Sequence, residues 1–322
     1  MACARHVSTA IIVPARNEQQ RMAACFGPIG AQADAGVGVV LVTNNCNDQT
    51  VRVARDVASA AGVRLDVLDC GFGPGKGVGT ARKIGAAHAL ALWPGVLHLL
   101  TTDADCIVAP DWVARNLFHL GQLSGVCGLV VPIEGEVSAL DGMDPLPAEM
   151  EGRYERLVTT FYRQFRSGPC GLEGDHGGTA GASLGIRTNA YQGVKGFGDL
   201  VTGEDRDLVR RLKEAGFGVR HASDVRVAAS CRLSGRAPGG MSDALAARVE
   251  RRDYLIDEAL PPARALIDAA RAGTLGPWPL QMGARLHARD LGPQIALLEA
   301  ALRDLTQPSA TGWRQAVDLH PV

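Results

Sequence analysis

Four short runs of apolar and β-branched residues, Thr9–Val13, Val37–Val42, Arg64–Leu68 and Val96–Thr101, are separated by stretches whose apolar residues recur at three- and four-residue spacing. This alternation over the first 110 residues restricts the fold more than any other feature, because a strand–helix repeat buries both faces of a parallel sheet under crossover helices. The intervening Gln49–Ala61 and Lys76–Leu92 carry Ala, Val and Leu on one helical face, with Arg and Lys on the other. Open sheets of this kind collect ligands beyond the carboxyl ends of their strands, so chemistry is expected in the residues that follow each run.

Further along, Ala148–Phe165 reads as a helix, Gly168–Gly185 as a glycine-rich stretch and Glu204–Ala215 as a second helix. Residues 242–305 keep a helical period broken near Pro261–Pro262 and Gly276–Pro279, which predicts a helical appendage. A hydrophobic content of 46% over 322 residues supplies a sizeable core. Lys and Arg (33) balance Asp and Glu (34), so no global field attracts nucleic acid or an anionic membrane, and any anionic ligand must be held locally. Cys3, Cys25, Cys46, Cys70, Cys106, Cys127, Cys170 and Cys231 form neither a Cys-x-x-Cys pair nor a zinc-like cluster, and are read as reduced thiols. The richest apolar run, Ala86–Leu100, is interrupted by His88, Pro94 and His98, so a soluble, cytoplasmic chain without a membrane span is expected.

Three segments carry chemistry. Asp103 and Asp105 emerge one residue apart after the strand Val96–Thr101. Carboxylates so close call for a cation, and hard oxygen ligands suit Mg²⁺ or Mn²⁺. The same pair equally fits a turn capping a helix that starts near Pro110–Asp111. Thr202-Gly-Glu-Asp205 opens an amphipathic helix. One reading makes Thr202 an N-cap with Asp205 three residues on; the other makes Asp205 a general base kept ionised by the helix dipole. The loop Gly71–Gly79 leads into a helix carrying Arg82 and Lys83, with Lys76 inside the loop, a pattern that lets backbone amides approach an anion. It fits neither a Walker loop nor a Gly-x-Gly-x-x-Gly dinucleotide turn. A solvated surface loop is the bland alternative.

The order of these motifs over roughly residues 8–236 resembles the family 2 glycosyltransferases. Ile11-Ile-Val-Pro14-Ala-Arg16-Asn-Glu18 is similar to the family's opening strand and turn beside the nucleotide. Leu41–Thr50 is similar to the segment after its second strand, but Thr43-Asn44 stands where the family has paired acids, so the nucleotide contact falls to an amide. Lys76 and Arg82 match a basic loop and helix near the base and diphosphate, and Asp103-Ala-Asp105 matches the metal motif. Gly181–Arg187 and Tyr191–Phe197 resemble the acceptor-side stretch, Glu204-Asp205 the Glu–Asp pair with Asp205 as base, and Ser230–Arg236 the Arg-bearing loop that closes on the diphosphate.

The resemblance implies a GT-A α/β fold with a mixed central sheet: a Rossmann-like nucleotide-sugar half (1–110), an acceptor and catalytic half (111–241) and a helical extension (242–322). It implies an inverting, Mn²⁺- or Mg²⁺-dependent transfer from a nucleotide-diphosphate sugar. Asp205 and Glu204 would be catalytic; Pro14, Arg16, Glu18, Asn44, Lys76, Arg82, Asp103 and Arg232 would bind donor. Asp103 and Asp105 would hold metal, with His221 as an extra ligand against a structural reading. A lipid-linked or envelope acceptor, attachment at the inner membrane face and a homodimer fit this picture. A sugar nucleotidyltransferase would place its glycine-rich loop after the first strand, whereas here the loop lies near residue 73. A non-catalytic nucleotide-sugar-binding protein is the other alternative.

Overall fold

The computed structural model describes residues 6–32, 36–166, 168–169, 171–235 and 240–306. In chain order its first half runs β1 (Thr9–Ala15), α1 (Met22–Gly30), β2 (Val37–Asn44), α2 (Thr50–Ala60), β3 (Leu65–Cys70), α3 (Val78–Leu92), β4 (His98–Thr101) and β5 (Cys106–Val108). There follow α4 (Trp112–Leu120), β6 (Gly125–Pro132), α5 (Pro145–Phe165), β7 (Glu173–Gly174), β8 (Leu184–Arg187), α6 (Thr188–Gly193), α7 (Glu204–Glu214) and β9 (Val219–Ala229). The last helices are α8 (Met241–Val249), α9 (Ala263–Arg271) and α10 (Leu291–Thr306).

The strands form one mixed sheet in the order β3-β2-β1-β4-β8-β6-β9-β5, with β7 on β9. The four strands expected from the opening alternation are the parallel part, β2 flanked by β1 and β3, and β1 by β4. β8 reverses direction between β4 and β6, and β9 runs parallel to β6 with a register shift after Gly128. Side chains on β1 alternate between two cores, as a period-two strand requires. Ile11 and Val13 pack with Phe26 and Trp112 on one face, Ala10 and Ile12 with Ala86, Leu208 and Leu212 on the other.

Gly85 brings α3 onto the sheet: a Cβ there would stand 2.7 Å from the Cγ2 atoms of Ile12 and Val42. The buried face of α3 is Gly79, Arg82, Ala86 and Ala89, at spacings of three and four. The expectation that arginines of this helix face outward therefore fails for Arg82, which is 3% exposed. Arg82 falls on the buried stripe by helical spacing, and its charge does not turn it outward.

A third core joins α5 to α9, α10 and the loops between them through Tyr154, Phe161, Trp278, Leu291 and Leu298. The helical appendage is thus anchored on a helix from the middle of the chain. The Tyr154 hydroxyl donates to Pro261 O at 2.6 Å, and the Trp278 indole donates to Gly177 O at 2.8 Å. No described helix is long and apolar enough to cross a membrane. Among the described residues Cys25, Cys46, Cys70, Cys106, Cys127 and Cys231 are free, while Cys3 and Cys170 lie outside them.

Candidate active site

The site lies beyond the carboxyl ends of β1, β2 and β4. Pro14 is in the last turn-ward residues of β1, and exposed Arg16 follows it. Asn17, at φ +54°, donates its backbone N–H to Cys46 Sγ (3.2 Å) and accepts Asn47 N–H on Oδ1 (2.9 Å). Glu18 N–H donates to Thr50 Oγ1 at 2.7 Å. These bonds zip the first loop to the start of α2 and fix the Glu18 carboxylate, which is 5% exposed.

Across the loop, Asn45 (φ +51°) donates its side-chain amide to Phe72 O at 2.9 Å and accepts Phe72 N–H at 3.0 Å, so it tethers the glycine-rich loop. The neighbouring Asn44 has its Oδ1 buried without a hydrogen-bond partner among the described residues. That atom is an acceptor in want of an N–H, and leaving it so costs on the order of 1–3 kcal/mol. Thr43 donates its hydroxyl to Asp69 Oδ1 at 2.6 Å, so a carboxylate stands in register beside the Thr-Asn pair. The Lys76 ammonium is exposed and paired with Asp199, whose other oxygen accepts the Thr80 hydroxyl at 2.5 Å.

Asp103, Asp105 and Cys106 present donor atoms all within 4.8 Å of one another. Two carboxylates and a buried thiol make this set; burial pushes the Cys106 thiol far up, so the hard oxygens are its available ligands. Guanidinium groups now flank both acids. Arg232 Nη2 lies 2.8 Å from Asp105 Oδ2, with its Nη1 2.7 Å from Glu18 Oε1. Arg82 Nη2 donates to Asp103 Oδ1 at 2.5 Å, and its Nη1 pairs with Glu204.

Arg82 thus spans two motifs about a hundred positions apart. Burial works against its charge, but Asp103, Glu204 and Asp205 together outweigh that and hold it above its ordinary pKa. Burial raises both Asp103 and Glu204, partly countered by the guanidinium. Arg82, expected near the base and diphosphate, is buried in these pairs. Glu204, 1% exposed, is likewise closed to solvent.

Asp205 keeps partial exposure, and its Oδ2 accepts the Gly181 N–H at 2.7 Å. The proposed capping box is not what starts α7. Gly203, at φ +80°, is the N-cap and no side chain caps it, because a left-handed residue there turns the chain so that Thr202 stays outside and exposed. Gly181 lies in the glycine-rich segment that Trp278 grips at Gly177, so the appendage reaches the acidic pair through that loop.

His221 does not join the metal-donor set. It is fully buried on β9, where Nδ1–H donates to Gly178 O at 2.9 Å and Nε2 faces the Lys213 ammonium at 3.5 Å. Both ring nitrogens are engaged, and burial followed by Lys213 drives the imidazole well below its usual pKa. Sequence reasoning also missed Glu136, which pairs with Arg21, accepts the Ser230 hydroxyl at 2.9 Å and accepts Cys231 N–H at 3.0 Å. That carboxylate straps the Arg232 segment to the turn before α1; Arg236 lies outside the described residues.

Comparison with known proteins points to glycosyltransferases. The chain is 31% identical over 130 residues to 4,4'-diaponeurosporenoate glycosyltransferase of Staphylococcus aureus (strain bovine RF122 / ET3-1), covering 39% of this chain and 31% of that protein. The matched part is therefore under a third of that relative. The mannosyltransferase PcManGT of Pyrobaculum calidifontis, solved with GDP-Man and Mn²⁺, superposes with a TM-score of 0.52 at 17% identity, over 97% of this chain and 84% of that one. TarS of Staphylococcus aureus, solved with UDP-GlcNAc, gives 0.51 at 14% identity, over 97% and 77%. These likenesses show the GT-A fold. The sequence profile described as "Glycosyltransferase like family 2" matches residues 6–237, and the chain belongs to that family.

Proposed function

We propose that this protein transfers a sugar from a nucleotide-diphosphate donor to an acceptor hydroxyl in a single inverting, metal-dependent displacement. The observation that carries the reading is the Arg82 bridge, which brings Asp103 of the Asp-Ala-Asp turn and Glu204 of the Glu–Asp pair onto one guanidinium. The solved neighbours bind GDP-Man with Mn²⁺ and UDP-GlcNAc, which supports a nucleotide-sugar donor here.

The two carboxylates of Asp103 and Asp105 fit a hard divalent cation, and a bound Mn²⁺ or Mg²⁺ would supply Lewis-acid stabilisation to the departing diphosphate. The rest of the work belongs to side chains. Asn44 Oδ1 takes an N–H from the base, and Pro14, Arg16 and Glu18 border the nucleotide. Arg232 and Lys76 neutralise charge growing on the diphosphate, Arg232 by exchanging its carboxylate partners for phosphate oxygens. Asp205 accepts the acceptor's proton as its oxygen attacks the anomeric carbon from the opposite face.

The test is a thermal-shift screen of UDP, GDP, CMP, dTDP and their sugar conjugates with and without Mn²⁺, followed by transfer assays on the donor it identifies. A ligand at a hundredfold excess over its Kd stabilises by about 2.7 kcal/mol. Asp205→Asn should then lose about 10²–10⁴-fold in kcat while still binding donor. An Asn variant with near wild-type turnover would refute the base assignment.

A further inference from the structure

We infer that Arg82 is a positioning residue, whose guanidinium fixes the Asp103 turn and the first turn of α7 relative to each other. This rests on the transfer reaction proposed above, but it assigns Arg82 a task other than holding the donor. Several observations converge on it. Its side chain is 3% exposed, on the inner stripe of a helix pressed onto β1 and β2. One terminal nitrogen meets Asp103 and the other meets Glu204, which is itself 1% exposed.

Gly181 is also moulded to it, since a Cβ there would stand 2.3 Å from Arg82 Cζ. The N–H of the same glycine donates to Asp205 Oδ2 at 2.7 Å. A single planar group therefore touches the metal-side acid, the helix that carries Asp205, and the residue that orients the Asp205 carboxylate. Gly79 completes the fit: a Cβ there would stand 2.4 Å from Leu200 O and 3.0 Å from Glu204 Cβ, so α3 approaches the start of α7 closely at this residue.

Arginine suits this place because its two terminal nitrogens hold a rigid separation and address two carboxylates at once; a lysine ammonium is a point charge and cannot span them in the same way. A donor-side acid and the helix that carries the acceptor-side base, joined through one rigid fork, keep their spacing whether or not substrate is present. Misplacement by about 1 Å in a reacting site costs on the order of 10²-fold in rate.

Two variants test the inference. Arg82→Lys retains the charge but not the fork, and the double variant Arg82→Met/Glu204→Met replaces a buried ion pair with apolar chains of similar volume, which proteins commonly tolerate. Hydrogen-exchange mass spectrometry without ligand reads segments 178–183 and 203–209, and steady-state kinetics follow with the donor found by the screen. The expected result is faster exchange in both segments, by about tenfold or more, and a kcat loss on the order of 10²-fold with donor KM within about threefold.

Wild-type exchange and kcat in either folded variant would overturn the inference. A raised donor KM with unchanged kcat would also overturn it, in favour of direct donor binding. Failure of both variants to fold would reduce Arg82 to a stability residue. If the wild-type protein transfers no sugar from any donor, the proposed reaction fails, and the exchange measurement alone decides the positioning role.

Discussion

Replacing Gly181 with alanine tests the same junction from outside the ion pair. The added Cβ would stand 2.3 Å from Arg82 Cζ and 2.4 and 2.6 Å from its terminal nitrogens. Non-bonded carbon contacts settle near 3.5 Å, so the guanidinium must withdraw by about 1.2 Å. A surface arginine would swing aside at little cost, but this one is buried and its movement breaks the bonds to Asp103 and Glu204. Two charge-assisted bonds at roughly 1.5–3 kcal/mol each amount to about 3–6 kcal/mol. The lower chain entropy of unfolded alanine returns about 0.4–1 kcal/mol. The expected net loss is therefore about 2–5.6 kcal/mol, and at roughly 2 °C per kcal/mol for a chain of this size Tm falls by about 4–11 °C. Thermal and urea melts measure it. Gly152→Ala, inside α5, where a Cβ would meet only the Arg156 Nη1 tip at 3.5 Å, serves as the control and should be neutral or slightly stabilising. A Gly181→Ala loss below about 1 kcal/mol would show that the guanidinium is not held by the bonds described.

Gly128→Ala should also destabilise strongly, by about 3 kcal/mol or more, because its Cβ would meet Val225 O at 2.5 Å and Ser183 Oγ at 2.1 Å where β6 shifts register on β9; urea unfolding measures this, and a neutral substitution would contradict that strand pairing. Burial lowers the pKa of both His176 and His221, so the unfolded chain binds more protons than the folded one in acid. Their stabilising contribution is then complete above the ordinary histidine value of about 6.5 and declines as pH falls below it. Urea midpoints between about pH 7.5 and about pH 5 should fall with acid, accompanied by proton uptake on unfolding; unfolding without proton uptake in that range would refute the burial argument.

Local pattern was enough to find much of this protein. Strands β1 to β4, helices α2, α3, α5 and α7 and the late helical segments follow from apolar spacing, within a few residues at their ends. The acids of the site were legible too, since Asp103, Asp105, Glu204 and Asp205 sit directly after strands or at a helix start, where an α/β fold exposes them. Less was readable where structure depends on partners far along the chain. The capping box at Thr202 is a local rule that a left-handed Gly203 overrides. For His221 the sequence leaves a metal-ligand and a structural reading open, and its place on β9 between Gly178 and Lys213 gives the structural one.

By itself the sequence determined which residues form strands and helices and which carboxylates follow them, because hydrophobic period and turn chemistry act over a few neighbouring residues. Only the tertiary structure decided which charges meet. Arg82 with Glu204, Glu18 with Arg232 and Gly181 with Asp205 are separated by 122, 214 and 24 residues, and no short-range pattern encodes those pairings. They arise when strand order and helix packing close the sheet, and they persist because a charge removed from water must find a partner there.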